Sequence, residues 1–325
     1  MCIWFHIKRT NIGRRSKLYS NVVRTDEYKR YLLSYVENEY GISAIRLTPA
    51  KRGFYGETWR LDTPDTSYFL KLVYAKEHIE TYKRSFPLIQ HLCNHGIDFI
   101  SQIIKTKENH LFSEFDGAIL GVFIWINGVL TETDETKIPE YQMLAKVYTV
   151  PTDGLCIPRE DFSSNISDVF YKQWKSLNDT QLLALLEKNR VKIERRAQRL
   201  KHFAKLCQTQ SENTPFFITH GDAGGNLIVD GDKYFIVDWD NPLLAPPERD
   251  AWVMCSKDWA REAFQTALCD NGIKHTLRTE ILAYYCYNFF FYYLTAFLDA
   301  SASADIVEEY IDGWIEDSIK YCENY

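Results

Sequence analysis

The sequence predicts a two-lobed α+β protein, with a small β-rich front and a larger, mostly helical back. Three observations carry this expectation. Short apolar runs with strand-like alternation crowd residues 43–127, helical spacing dominates after Gly128, and a single β island interrupts the helical part. The chain has 325 residues, 46% of them hydrophobic and 25% charged, which suits a folded protein and excludes a disordered or collagen-like one. A net charge of −6 argues against a dedicated nucleic-acid binder.

Taken in order, residues 1–20 form a basic arm that is expected to be flexible, without an apolar run long enough for a signal peptide. Residues 21–127 form the expected N-lobe. It begins with DEYKRYLLSYVENEY, helically spaced and stopped by Gly41. The runs AIRLTPAKRG, ETWRLDT and SYFLKLVYA read as strands, the last with Lys71 inside it. A turn with two glycines, Gly53 and Gly56, separates the first two. KEHIETYKRSFPLIQHLCNHGI reads as a helix that kinks or restarts at Pro87. SQIIKTKEN and GAILGVFIWING complete the expected strands.

Residues 128–325 form the expected C-lobe, with helices over EYQMLAKVY, DVFYKQWKSL, the long run TQLLALLEKNRVKIERRAQRLKHFAKLCQ and most of the chain beyond Trp252. The segment Ile281–Leu298 approaches membrane-span length, but its five tyrosines and one asparagine favour a buried helix. The eight cysteines are scattered without a CxxC pair, so their spacing offers no zinc framework, and reduced thiols in a cytoplasm are expected. Charge is uneven. Met1–Asn127 carries 18 Lys+Arg against 13 Asp+Glu, whereas Gly128–Tyr325 carries 20 against 31.

The β island, PFFITHGDAGGNLIVDGDKYFIVDWDNP, holds the chemistry. It reads as strand, loop, strand, Gly231-Asp232 turn and strand, a hairpin signature. Asp222, Asn226 and Asp238 fall at the strand ends, where such a fold brings side chains together. Two carboxylates and a carboxamide are oxygen donors suited to Mg²⁺ on phosphate oxygens. A carboxylate free of the metal can take a proton from an attacking hydroxyl, and phosphoryl transfer needs little else beyond positioning and charge neutralisation.

The run HGDAGGN followed by IVDWD, and the NPLLAPPERD beyond it, resembles the aminoglycoside phosphotransferase and choline kinase-like family, which has a protein-kinase-like fold. The resemblance implies an ATP-dependent O-phosphotransferase, with ATP or GTP as donor and Mg²⁺ as cofactor. Asp222 would be the catalytic base, Asn226 and Asp238 would hold Mg²⁺, and Lys71 would contact the α and β phosphates beneath the Gly53–Gly56 turn. Lys71 would also pair with a glutamate of the next helix. Glu77 and Glu80 are candidates and Glu80 is taken, although the most directly aligned position is Lys83. The loop between Asp222 and Asn226 is one residue shorter than the kinase pattern, and its two glycines can take conformations other residues cannot.

The resemblance also implies a small, hydroxylated and cationic acceptor, an aminoglycoside or aminocyclitol antibiotic such as spectinomycin. Acids of the C-terminal helices would receive its ammonium groups, and rings within Tyr284–Tyr293 would add cation–π contacts. His220 is expected to hold the loop, Asp240 to support either metal or substrate, and Glu248-Arg249-Asp250 to start a helix with an anchoring ion pair. Alternatives are a metabolic kinase acting on choline, homoserine or a sugar, and a nucleotide-binding module without catalysis. No nucleic-acid or membrane partner is expected, and the assembly is expected to be a monomer or weak dimer.

Overall fold

The computed structural model describes residues 24–50, 56–313 and 315–324; the N-terminal arm and Gly53 lie outside them. The N-lobe is a five-stranded antiparallel sheet of order β1-β2-β3-β5-β4. Its strands are β1 (Arg46–Pro49), β2 (Gly56–Asp62), β3 (Ser67–Val73), β4 (Ser113–Phe115) and β5 (Ala118–Ile124). Helix α1 (Asp26–Tyr40) packs on one face of it, burying Leu32, Val36 and Tyr40 at four-residue spacing. Thr25 caps its start by accepting from the Tyr28 N–H, and Gly41 ends it in the left-handed conformation at φ 72°. The helix is also anchored by the buried Glu57, which accepts from Arg24 Nε at 2.7 Å, Tyr28 Oη at 3.1 Å and Trp59 Nε1 at 3.2 Å.

Helix α2 (Lys76–Asn94) crosses between the lobes. It runs as one helix through Pro87, so the expected restart does not occur, and Phe86 and Leu88 on either side are completely buried. The expected strand over SQIIKTKEN also fails. Only Ile103 bridges to Phe123, and the chain then turns at Thr106–His110 with Asn109 at φ 68°, so the edge strand forms later, at Ser113–Phe115.

The C-lobe contains α3 (Asp134–Val147), α4 (Asn165–Lys175), α5 (Thr180–Lys188), α6 (Arg190–Gln210), α7 (Glu248–Ala251), α8 (Asp258–Asp270), α9 (Thr279–Asp299), α10 (Ala304–Asp312) and α11 (Ile315–Glu323). The long helical run expected from Thr180 onward divides at Asn189, which ends α5 and begins α6. Helix α9 is the spine of the lobe. Its most apolar stretch is 78% buried, which marks it as a core helix packed by α4, α6 and α11. The β island forms β7 (Phe217–Thr219), β8 (Leu227–Asp230) and β9 (Lys233–Ile236), with the hairpin turn at Gly231-Asp232. Two short strands that sequence reasoning passed over, β6 (Val129–Leu130) and β10 (Leu243–Ala245), pair with β8 and β7.

Part of the acidic C-terminal segment is paired within the molecule. Glu308 pairs with Lys188 at 2.8 Å and Asp312 with Lys192 at 2.7 Å, both basic partners lying on α5 and α6. Glu316 meets Lys192 at 3.3 Å and the buried Arg196, and Glu323 meets Arg195 at 3.7 Å. Four of the eight acids from Asp299 onward, Glu308, Asp312, Glu316 and Glu323, are thus engaged by bases of α5 and α6. Exposed pairs of this kind contribute little, but Arg196 is 2% exposed and depends on its partner. Glu316→Gln should lower unfolding free energy by about 1.5–3 kcal/mol, measured by urea titration, whereas Glu308→Gln should change it by no more than about 0.5 kcal/mol.

Candidate active site

Strand β7 delivers the chain into the loop His220–Asn226, and β8 carries it away. Two residues of α7 brace this loop. Arg249 donates to Thr219 O at 3.2 Å, to Thr219 Oγ1 at 2.9 Å and to Asn241 O at 3.1 Å. Asp250 accepts from the His220 N–H at 3.2 Å, from the Gly221 N–H and from Tyr148 Oη at 2.8 Å. Gly221 has φ 84°, and a Cβ there would lie 2.4 Å from Arg249 Nη2, so the brace requires glycine. Glu248, expected to join an anchoring ion pair, turns the other way and accepts from His275 Nε2 at 2.8 Å and the Arg278 N–H at 2.7 Å.

His220 is buried with its ring edge-on to Trp239. Its Nδ1 accepts the Asp222 N–H at 3.1 Å, so Nε2 carries the proton and donates to Val237 O at 3.0 Å. Both ring nitrogens are engaged by the neutral form, and burial holds the imidazole below its usual pKa. His220 thus ties the start of the loop to the end of β9.

Asp222 opens a 3₁₀ turn, Ala223–Gly225, that brings Asn226 back beneath it. Asn226 Nδ2 donates to Asp222 O at 2.8 Å and to Asp222 Oδ2 at 3.3 Å, which orients its Oδ1 away from that carboxylate. The three-residue loop therefore keeps Asp222 and Asn226 in contact. The Val237 N–H donates to Asn226 O at 2.9 Å, and the chain then bends sharply, with Asp238 at φ 68°. Such a conformation at a non-glycine residue stores strain, and it sits where the hairpin presents Asp238.

Lys71 reaches this point from β3 in the other lobe. Its Nζ bonds Asp238 Oδ1 at 2.7 Å and also Asp240, and lies 5.4 Å above the Tyr82 ring. Burial alone would lower the lysine pKa, but the two carboxylates raise it instead. Burial opposes ionisation of Asp238 as well, yet the Lys71 ammonium outweighs it and holds that carboxyl below the usual range. Burial and the neighbouring Asp238 push Asp240 up to about 6, against the pull of Lys71.

The structure thus brings Lys71 to Asp238 and Asp222 to Asn226, the two pairs linked through the backbone bond from Val237 to Asn226. It does not bring Glu80 to Lys71. That side chain is 70% exposed on α2 and pairs with Lys83 at 3.7 Å, while Asp238 and Asp240 occupy the lysine. Gly56 begins β2, buried opposite Val73. Within Tyr284–Tyr293, Tyr284 and Tyr285 are buried and point their hydroxyls at the half-buried Glu160, at 3.3 and 3.0 Å, so these two rings serve the core.

The family model of the phosphotransferase enzyme family matches residues 46–286, a span holding all of these groups. The chain belongs to that family. No curated protein sequence matches it at a significant level. Among solved structures it is similar to spectinomycin phosphotransferase in complex with ADP and spectinomycin, at 18% identity and a TM-score of 0.72, covering 91% of this chain and 98% of that one. It is also similar to choline kinase from Streptococcus pneumoniae, at 12% identity and a TM-score of 0.61 (92% and 100% covered). Amicoumacin kinase bound to AMP-PNP, Ca²⁺ and amicoumacin follows at 14% identity and a TM-score of 0.59 (89% and 94%). The two-lobed protein-kinase-like fold is therefore shown.

One part of this candidate site escaped sequence reasoning. A small cavity beside Asp222 and Gly221 is lined by Lys137, Glu140 and Asp250. Lys137 on α3 is 4% exposed and meets Glu140 at 3.0 Å and Glu132 at 3.8 Å. A Cβ at Gly224 would lie 2.3 Å from its Nζ, so the short loop rests on this ammonium. Nothing in the spacing of Glu132, Lys137 and Glu140 distinguishes them from a solvated helix face, and only the packing of α3 under the loop reveals them.

The lowered pKa of His220 fixes the sign of a pH effect. The unfolded chain binds this proton more readily, so the stability it contributes is intact above about pH 6.5 and is lost as pH falls through that value. Urea midpoints should therefore decline on acidification below about pH 6.5, and His220→Gln should flatten that decline. An unchanged slope would mean that His220 titrates freely in the native state.

Proposed function

We propose that the protein transfers the γ-phosphate of ATP to a hydroxyl of a small, cationic acceptor of the aminoglycoside or aminocyclitol type. The observation that carries this reading is the meeting of Lys71 from one lobe with Asp238, beside the Asp222–Asn226 loop of the other. The nucleotide would lie between the lobes, with the Lys71 ammonium on its phosphates. Asp222 accepts the proton of the attacking hydroxyl at its carboxylate, and the Asn226 amide keeps that carboxylate aimed. Transfer needs little further covalent help from the protein, because the bond to the leaving oxygen loosens early.

The donor set fits a hard cation. Asp238 offers a carboxylate that is 42% exposed, and Asn226 an oxygen left over after its amide is engaged. Mg²⁺ held by these two would neutralise phosphate charge during transfer. His220, Arg249 and Asp250 act through the loop and do not touch the reacting atoms.

The acceptor class is supported by the carboxylates around the cavity beside Asp222. Glu140, Asp222 and Asp250 line it against Lys137 and Arg249, an excess of one negative charge that favours a positive ligand. The structurally similar proteins include one crystallised with spectinomycin and one with amicoumacin. A choline kinase is among them too, so a metabolic alcohol bearing an ammonium group is the second reading.

Asp222→Asn should reduce turnover with MgATP by at least about 10²-fold while leaving nucleotide affinity within about twofold. Turnover that survives this change would remove Asp222 from the base role. In an acceptor panel, KM for cationic acceptors should rise with salt more steeply than KM for MgATP, since the cavity acts through charge at longer range. A neutral sugar as best acceptor would overturn the antibiotic reading and leave the Asp222 mechanism standing.

A further inference from the structure

Three of the scattered cysteines, far apart in sequence, converge in the C-lobe core and take no part in the proposed chemistry. Cys255 follows the 3₁₀ turn after α7, Cys286 lies midway along α9, and Cys322 lies in the last turn of α11. All three are fully buried. Cys286 Sγ is 3.7 Å from Cys255 Sγ and 3.6 Å from Cys322 Sγ, and all three sulfurs lie within 4.8 Å of one another.

The spacing matches what a single ion would require. Sulfurs bound about 2.3 Å from a common centre stand about 3.8–4.0 Å apart, whether the geometry is tetrahedral or trigonal. The observed contacts need to open by only a few tenths of an ångström. The electrostatics fit as well. Arg199 Nη2 donates to Cys322 O at 3.1 Å, with its Nε buried and without a hydrogen-bond partner, and Arg261 donates to Cys255 O. Each guanidinium favours thiolate at its nearby sulfur, although burial still pushes the Cys286 thiol up and the contact with Cys255 pushes the Cys322 thiol up. The Cys322 thiol donates to Cys286, and a second sulfur–sulfur hydrogen bond joins Cys286 to Cys255.

We propose that Cys255, Cys286 and Cys322 form a binding site for one soft, thiophilic metal ion held by three thiolates. Soft sulfur ligands without oxygen or nitrogen donors select such ions over Mg²⁺. On binding, the three S–H bonds break, three S–metal bonds form and three protons pass to solvent. With a divalent ion the complex carries one negative charge, opposite in sign to the Arg199 guanidinium beside it. The ion would cross-link three elements and fasten α11, the last helix, to the spine helix α9. Access comes from that same helix, which is nine residues long and held to α6 by ion pairs at Glu316 and Glu323.

The test uses full-length protein in which Cys2, Cys93, Cys156 and Cys269 are replaced by serine, leaving the cluster and the isolated Cys207. Titration with Cd²⁺ should produce sulfur-to-metal charge-transfer absorption that saturates at one ion per chain, together with a raised Tm. Cys322→Ala should weaken Cd²⁺ binding at least tenfold and abolish the Tm rise. Its phosphotransfer activity should be unchanged, which also reports that it folds. Cys286→Ala, at the centre of the cluster, should behave alike. Absence of the charge-transfer band, or a band and affinity that survive Cys322→Ala, would overturn the site. Neither result bears on the catalytic reading, since no residue is shared.

Discussion

The ion triad of Lys71 with Asp238 and Asp240 is the contact on which the arrangement of the site depends, because it joins the two lobes at the place where chemistry is proposed. Bringing an ammonium and two carboxylates out of water is costly, and such clusters persist only when each charge has a partner. Two carboxylates this close repel each other, and Lys71 is what allows them to share a site. The triad thus holds the cleft in a charged, partly hydrated form that suits exchange of one anionic partner for another. On the proposed reading, nucleotide phosphates take the lysine, and Asp238 becomes free to hold metal.

The rest of the C-lobe exists in large part to keep Asp222 and Asp238 in place around that contact. His220 bridges the loop to β9 through one donated and one accepted hydrogen bond. Arg249 and Asp250 fix the loop from below, and Lys137 supports its glycine pair from α3. These are neighbouring layers of one polar network packed onto the spine helix α9. A loop one residue shorter than the kinase pattern can work here because each of its ends is fastened separately.

Much of this was legible in the sequence because it depends on local order. The hairpin at Gly231-Asp232, the strand around Lys71 and the loop that joins Asp222 to Asn226 follow from turn chemistry and strand ends. The misreadings share a different cause. SQIIKTKEN alternates like a strand but loses its partner where the chain turns at Asn109. Pro87 marks a restart that does not occur, the helix running on with Phe86 and Leu88 buried on either side. Glu80, the acidic C-terminal helices, Lys137 and the three converging cysteines are decided by which surfaces meet in space. Charge counts showed a basic front and an acidic back, but not that Glu308, Asp312 and Glu316 are answered by Lys188, Lys192 and Arg196.

The most direct test of the account is a crystal structure of the protein with Mg²⁺ and AMP-PNP. The account predicts that the Lys71 ammonium leaves the carboxylates for the phosphates, that Mg²⁺ sits between the phosphates and the oxygens of Asn226 and Asp238, and that Asp222 faces the γ-phosphate without binding metal. Nucleotide bound outside the cleft, or Mg²⁺ held without Asp238 while Lys71 stays between its two carboxylates, would contradict it.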